Sequence, residues 1–214
     1  KNVGLQASQV VPGIFYGRER DSEEGNIREW IIVAVSTDDF RYFGTDKAVA
    51  EFETNLDKEM KLDTLSPEET NDYLSVEIKQ DLKIGTCELT QPKYWVAAIE
   101  RFKGYFPSGP KPRATPLPEG LKLSEPTDAE IEEAAPLPYR ELMGVLNFPT
   151  AFTKIELKYA ISTLSQYLKG WGSIHFEMAL RCLEYGYTTR QRGLIYSRGR
   201  DKFGINVTYG YSDS

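Results

Sequence analysis

Residues Trp30 to Gly44 read Trp-Ile-Ile-Val-Ala-Val-Ser-Thr-Asp-Asp-Phe-Arg-Tyr-Phe-Gly. The apolar run Ile31 to Val35 is mostly β-branched and predicts a strand buried on both faces. It ends in two adjacent carboxylates, Asp38 and Asp39. A short aromatic run, Phe40 to Phe43, follows, and Gly44 stops it. An Asp-Asp pair between two such runs predicts the tip of a β-hairpin. Two carboxylates at a rigid tip repel each other unless a cation or a donor lies between them. Hard divalent cations such as Mg²⁺ take oxygen ligands at about 2.0–2.1 Å. From these residues alone the pair has two readings. One is a metal site for phosphoryl or nucleotidyl transfer; the other is an ordinary turn, where Asp is common.

Working outward, residues 1–20 carry strand-like pieces at Gln9-Val10-Val11 and Gly13-Ile14-Phe15-Tyr16, and Arg18 to Asn26 predicts a polar loop. Thr45-Asp46 can cap a helix running to about Met60, with Ala48, Phe52, Leu56 and Met60 on one stripe. Ser66 to Thr70 predicts a loop. Tyr73 to Lys79 alternates, with Leu74, Val76 and Ile78 on one side, as a half-buried strand does. Cys87 and Leu89 continue into a second strand, making a hairpin. Pro92 suits the first position of a helix that reaches about Phe102.

Pro107 to Pro138 holds eight of the twelve prolines together with Asp128, Glu130, Glu132 and Glu133. That composition predicts an extended connector. Residues 139–187 predict three antiparallel helices: one from Tyr139, one from Glu156 to Lys169, and one from Ser173 to about Tyr185. Gly144 inside the first predicts close approach of a neighbouring backbone. Gly193 to Tyr196 and Ile205 to Tyr209 predict a terminal pair of strands.

The chain of 214 residues has a net charge of −6, distributed unevenly. Residues 1–138 hold 16 Lys and Arg against 26 Asp and Glu, whereas residues 139–214 hold 10 against 6. A local basic face matters more for phosphate contact than the global sum. Arg181, Arg190, Arg192, Arg198 and Arg200 among Tyr185, Tyr187 and Tyr196 suit phosphate contact and base stacking, or form a solvated basic surface. The two cysteines, Cys87 and Cys182, define neither a disulfide framework nor a zinc site, and predict buried free thiols in a reducing compartment. The single histidine, His175, at a helix start predicts a packing or capping group. No apolar run is long enough to span a membrane. The start, Lys1-Asn2-Val3-Gly4, resembles no signal peptide and lacks a methionine, as expected of an excised piece.

Trp30 to Gly44 resembles the catalytic palm hairpin of copia-type retrotransposon reverse transcriptases: an apolar strand, Tyr-x-Asp-Asp, an apolar strand, Gly. Asp38, Asp39 and Gly44 match, and Ser36 stands where the family has Tyr. Leu74-Ser75-Val76-Glu77-Ile78 and Leu89-Thr90-Gln91-Pro92-Lys93-Tyr94 resemble the family's hairpin that holds the primer 3′ end. Pro138-Tyr139-Arg140, Gly144-Val145-Leu146, Ala160-Ile161-Ser162-Thr163-Leu164-Ser165, His175 and Leu180-Arg181-Cys182-Leu183 match its thumb in order and spacing. Gly210-Tyr211-Ser212-Asp213 resembles the opening of its ribonuclease H domain. Ile155 for a usual Pro and Gly186 for an apolar residue are departures, as is the missing Asp near Val11 and Pro12.

The resemblance implies an α+β fold. Residues 1–106 would form a partial reverse-transcriptase palm, antiparallel strands plus a helix. Residues 107–138 would be a connector, and 139–214 a helical thumb-like bundle ending in a β-hairpin. It implies RNA-directed DNA polymerisation, with Mg²⁺, or Mn²⁺ in its place, held by Asp38, Asp39 and a third carboxylate from an upstream strand. Gln91, Lys93, Tyr94, Arg181, Arg190 and Arg192 would contact an RNA or DNA primer-template. Deoxynucleoside triphosphates would bind only with fingers supplied by the remainder of the polyprotein, so the chain alone is expected to be inactive. The setting implied is intracellular, a cytoplasmic particle or the nucleus, and not secreted. The alternative is a relic kept as a nucleic-acid-binding or protein-interaction module without catalysis.

Overall fold

The computed structural model describes residues 5–20, 27–37, 39–59, 72–73, 75–81 and 83–197, with the backbone alone at 19–20, 27–28, 39 and 72. The chain forms two compact units, Lys1–Thr64 and Leu65–Ser214. Among the described residues no helix is long and apolar enough to cross a membrane.

The first unit is a four-stranded antiparallel sheet with one helix. Its strands are β1 (Gln6–Ala7), β2 (Ile14–Arg20), β3 (Ile27–Ser36) and β4 (Asp39–Gly44), in that spatial order, followed by α1 (Asp46–Glu59). Ile31 and Val33 are buried with Phe52 and Leu56 of α1. Ile32 and Ala34, on the other face, are only half-buried. The expected burial of β3 on both faces is therefore corrected: one helix covers one face, and an antiparallel sheet can leave the other to solvent.

The expected hairpin is present. Ser36 pairs with Asp39, closing a two-residue loop in which Thr37 has φ +52°, the left-handed backbone that tight hairpin turns use. Gln9-Val10-Val11 is a turn rather than a strand. The Ser8 hydroxyl oxygen accepts the Val10 and Val11 N–H groups at 3.3 and 3.1 Å, leaving Val10 86% exposed. Arg18 to Arg20, expected in a loop, extends β2 because it pairs with β3. The Thr45 hydroxyl donates to the Glu29 carboxylate and accepts the Trp30 N–H at 3.4 Å, tying the start of α1 to β3.

The second unit joins a sheet to a helical bundle. Strands β5 (Asp72–Tyr73), β6 (Val76–Asp81), β7 (Thr86–Thr90) and β8 (Leu194–Ser197) lie in that order, all antiparallel. The helices are α2 (Pro92–Arg101), α3 (Asp128–Ala134), α4 (Tyr139–Thr150), α5 (Lys158–Ser165) and α6 (Ser173–Thr188). The expected strand from Tyr73 to Lys79 is broken at Ser75, whose φ of +63° lets Tyr73 fold back on Val76. The β6–β7 hairpin stands as expected, its turn held by Asp81 Oδ1, which accepts the N–H groups of Lys83 and Ile84 at 2.9 and 3.0 Å. The Gly193–Tyr196 strand pairs with β7. Its expected partner, Ile205 to Tyr209, lies outside the described residues, as do Met60, the Ser66–Thr70 loop, Leu74, Arg198, Arg200 and Asp213.

The three expected helices are present, the second as a 3-10 turn at Ile155–Leu157 followed by α5, which stops at Ser165 rather than Lys169, and with α2 they form the core of this unit. Trp95, Tyr139, Leu142, Leu146, Ile161, Leu164, Phe176 and Leu183 are buried together. Each such side chain contributes roughly 1.5–3 kcal/mol. The departure at Gly186 has a physical cause, since a Cβ there would come within 2.1 Å of the Trp95 ring. Absence of a side chain in α6 lets the largest buried residue of α2 cross it. Gly144 corrects the opposite expectation: it is exposed and nothing lies within 4 Å of where its Cβ would be.

The proline-rich segment is not a free connector. Tyr167 Oη donates to the Leu123 carbonyl at 3.2 Å and Trp171 Nε1 to that of Ala134 at 3.1 Å. The buried Glu184 carboxylate accepts the Lys111 N–H at 2.8 Å and Arg113 Nε at 2.6 Å. Leu117, Leu123 and Leu137 pack on the core. The segment also contains α3, opened by a capping box between Thr127 and Glu130.

The two glycines give opposite expectations. Gly144→Ala should raise stability by roughly 0.5–1 kcal/mol, the ordinary cost of glycine inside a helix. Gly186→Ala should lower it by about 1–3 kcal/mol or more through overpacking. Denaturant unfolding of the two variants checks both signs.

Candidate functional site

Asp39 sits where β3 turns into β4. Asp38 lies outside the described residues. Asp39 opens β4, paired with Ser36, and Arg41 follows two residues later opposite Ala34. The tip is braced from behind, because the Val35 N–H donates to the Gly13 carbonyl at 2.8 Å. Carboxylates are donors of the right kind for Mg²⁺, which favours six oxygens. Among the described residues no group of three or more His, Cys, Asp or Glu converges to hold a metal.

A second feature belongs to the Leu65–Ser214 unit. Alternation in β6 puts Glu77 and Lys79 on one face, and helical spacing puts Lys93, Val96, Ala97 and Glu100 on one side of α2. These side chains, with Arg190 and Gln191 beyond α6, line an open groove of about 610 Å³. Lys93 Nζ lies 3.8 Å from the Glu77 carboxylate. Arg190 is held in place: its Nη1 donates to the Tyr187 carbonyl at 2.9 Å, and its guanidinium lies 4.4 Å from the Tyr187 ring centre. Three cations, Lys79, Lys93 and Arg190, face two carboxylates, Glu77 and Glu100.

Of the six residues expected to meet nucleic acid, Lys93 and Arg190 come together in this groove. Arg192 is exposed two residues beyond Arg190. Gln91 is 1% exposed, with its Oε1 accepting the Thr153 hydroxyl at 2.6 Å. Tyr94 Oη donates to the Val145 carbonyl at 2.7 Å, its ring packs 5.1 Å from that of Phe148, and burial raises the phenol pKa. Both serve packing here. Arg181 lies elsewhere: its Nη2 donates to Thr115 Oγ1 at 3.3 Å, holding the proline-rich segment.

Lys154, which the sequence did not single out, organises one end of the groove. It is fully buried. Its ammonium donates to the Thr189 carbonyl at 2.6 Å, the Thr189 hydroxyl at 3.0 Å and Glu156 Oε1 at 3.3 Å. Burial lowers its pKa, against the pull of Glu156. Thr189 is the C-cap of α6, so the charge satisfies a carbonyl at the negative end of that helix. Thr153 beside it binds Gln91 at the head of α2. One polar cluster therefore fixes the start of α2, the α4–α5 joint and the end of α6, from which Arg190 projects. A lone lysine between two helices carries no periodic signal that would reveal this.

His175 is buried and structural, as expected. Its Nδ1 accepts the Gly172 N–H at 3.0 Å, and its ring lies 4.0 Å from that of Tyr167. Cys182 is a buried free thiol, as expected, and burial pushes it up to about 12; Cys87 is also free but only half-buried, which corrects the expectation for it. Burial holds the imidazole of His175 below its ordinary 6.5. The unfolded chain then takes up a proton that the folded chain refuses, so stability falls as pH drops below that value. His175→Gln removes this contribution. The difference in melting temperature between wild type and variant should shrink from about pH 7.5 to about pH 5.5; a widening difference contradicts the assignment.

The chain is similar to the retrovirus-related Pol polyprotein from transposon TNT 1-94 of Nicotiana tabacum, 29% identical over 190 residues, covering 86% of this chain and 14% of the relative. It is 35% identical over 85 residues to the putative transposon Ty5-1 protein YCL074W of Saccharomyces cerevisiae, covering 40% of this chain and 27% of the relative. It is 33% identical over 89 residues to the retrovirus-related Pol polyprotein from transposon RE2 of Arabidopsis thaliana, covering 42% of this chain and 6% of the relative. The chain thus spans a minor part of the length of these curated relatives. No family model matches it, and no solved structure does. The similarities support an origin in a retrotransposon Pol polyprotein.

Proposed function

We propose that this chain is the palm-hairpin, thumb and connection section of a copia-type retrotransposon reverse transcriptase, working inside the cell. The observation that carries this reading is the β3–β4 hairpin, in which the apolar strand Ile31 to Val35 runs through Ser36 and a two-residue loop to Asp39, where the sequence reads Asp38-Asp39. The similarity to Pol polyproteins supports it. In the intact enzyme Asp38 and Asp39 hold Mg²⁺, or Mn²⁺ in its place. The bound metal supplies Lewis-acid neutralisation of phosphate charge and activation of a hydroxyl nucleophile. The antiparallel hairpin supplies rigidity, so that the carboxylates hold position without a cost in ordering at each turnover.

The groove between β6 and α2 takes phosphates of an RNA or DNA primer-template. Lys79, Lys93 and Arg190 give it a positive balance, and Lys154 holds the backbone from which Arg190 extends. Among the described residues no group of three or more His, Cys, Asp or Glu converges to hold a metal, so this reading takes a third carboxylate, and the fingers that bind deoxynucleoside triphosphates, from outside this section. The rest of the polyprotein supplies them, and this section alone does not polymerise. One observation favours the other reading, a module retained without catalysis: Ser36 stands where the resembling family has Tyr, and serine offers no ring to lie against a primer end.

Two measurements test the proposal. The purified chain, given a primed RNA template, deoxynucleoside triphosphates and Mg²⁺ or Mn²⁺, should incorporate nothing; template-dependent incorporation abolished by Asp38→Asn contradicts this. Primer-template duplex should bind in a salt-sensitive way. Lys93→Ala and Arg190→Ala should each lower the slope of log affinity against log salt by about 0.9 for every phosphate left unneutralised. Unchanged slopes in both variants remove the groove from the interface.

A further inference from the structure

Lys111 to Pro116 reads Lys-Pro-Arg-Ala-Thr-Pro and is tied to α6. The Glu184 carboxylate accepts the Lys111 N–H and Arg113 Nε. The Thr188 hydroxyl oxygen accepts the Arg113 N–H at 3.4 Å, and Cys182 Sγ donates to the Pro116 carbonyl. The remaining tie, Arg181 Nη2 donating to Thr115 Oγ1 at 3.3 Å, is of a different kind. Arg181 carries a full charge, yet among the described residues its hydrogen-bond partner is this neutral hydroxyl and it forms no ion pair. Its Nε is shielded from water and has no partner. A buried donor left unpaired is costly, the more so on a charged group. Nε and Nη2 share one edge of the planar guanidinium, the edge that grips two oxygens of a carboxylate or phosphate side by side. A single hydroxyl half-fills that edge. Thr115 is exposed, and Pro116 follows it.

We infer that Thr115 is a phosphorylation site for a proline-directed protein kinase, and that Arg181 clamps the phosphate. Kinases of this class modify Ser or Thr followed at once by Pro on extended backbone. Proline lacks an N–H and pushes the residue before it into extended conformation. Pro112, Pro116 and Pro118 keep this stretch out of helix and sheet, and Lys111, Pro112, Ala114 and Thr115 are exposed. The chain's other Ser/Thr-Pro pair, Ser66-Pro67, lies outside the described residues. In the reaction Thr115 Oγ1 bonds to the γ-phosphorus of ATP and the bond from that phosphorus to its bridging oxygen breaks. ADP departs, and the hydroxyl proton passes to the kinase's catalytic carboxylate. The product carries a charge of roughly −1.5 to −2 and three acceptor oxygens, enough to occupy Nε and Nη2 together. Lys111, Arg113 and Arg181 line one cleft of about 350 Å³ with Glu177 and Glu184, so cations lead by one before the phosphate arrives. Arg113 stays on Glu184 and keeps that carboxylate neutralised. The modification fastens the proline-rich segment to α6 where one hydroxyl now holds it. The inference rests on these contacts and not on the polymerase reading or the groove between β6 and α2.

The experiment incubates the full chain carrying Ser66→Ala with ATP, Mg²⁺ and a cyclin-dependent or a mitogen-activated protein kinase. Mass spectrometry should find one phosphate per chain, on Thr115, and none when Thr115→Ala is added. Phosphorylation should raise the melting temperature of the unit that contains α6 by about 2–4 °C. Arg181→Gln should take up the phosphate equally and show no rise. Arg181→Lys keeps the charge but loses the two-pronged edge, and should show a smaller rise than wild type. If Arg181→Gln does not fold, Arg181→Lys carries the test. Lys93→Ala and Arg190→Ala should change neither the modification nor the rise, which separates this site from the groove. No phosphate on Thr115 with either kinase overturns the inference. So does a rise of equal size in wild type and in the Arg181 variants, which would place the phosphate elsewhere than on Arg181. A lowered melting temperature overturns it as well, because Glu177 and Glu184 would then repel the phosphate more than Arg181 holds it.

Discussion

An ammonium group with no exposure to water has to find its solvation inside the protein, and Lys154 finds it at the end of α6. Removing a cation from water is costly unless hydrogen bonds and opposite charge replace the lost solvent. Here the Thr189 carbonyl, the Thr189 hydroxyl and Glu156 provide them. The arrangement is specific because few positions of α6 would satisfy it. A shift of α6 along its axis would leave the charge without the carbonyl that terminates the helix. The Thr153–Gln91 bond beside it extends the same constraint to α2. The orientation of Arg190 and the placement of β8 beyond it both follow from this polar joint.

The apolar packing around that joint depends on shape rather than on charge. Trp95 reaches its position because Gly186 offers no side chain in its path, and the ring then fills space among α2, α4 and α6. Tyr139 shows how polarity is handled in such a core: its ring stacks on Trp171 at 5.4 Å while its hydroxyl donates to the Leu164 carbonyl at 2.7 Å. The core is therefore close-packed without leaving that hydroxyl unsatisfied.

The proline-rich segment illustrates how order can come from elsewhere in the chain. Prolines remove N–H donors and prevent the segment from building a ladder of its own. Glu184, Tyr167 and Trp171, all C-terminal to it, supply or accept the missing bonds. Cys182 adds a weak contact to the Pro116 carbonyl at 3.7 Å. Composition alone describes such a stretch as a linker because composition registers what the segment lacks, not what its neighbours provide.

The sequence by itself determined the local elements whose signals are local. The β3–β4 hairpin followed from an apolar run stopped by Asp38-Asp39. The β6–β7 hairpin, Pro92 at the head of α2 and the three helices after Pro138 followed from period and punctuation. It could also place His175 as a cap and Cys182 as an inert thiol. The Thr127-x-x-Glu130 cap of α3 was equally visible, but the prolines around it masked the signal. What only the tertiary structure decided are relations between distant residues. Gln91 and Tyr94 adjoin Lys93 in sequence yet turn into the core, because a helix sends neighbouring side chains in different directions. Lys93 meets Arg190, far along the chain, because α2 and α6 pack together through Trp95 and Gly186. Ile32 and Ala34 stay half-buried because, among the described residues, α1 packs on the face that carries Ile31 and Val33. Contacts of that kind depend on which faces are covered and by what, and a pattern of periods along one chain does not contain that information.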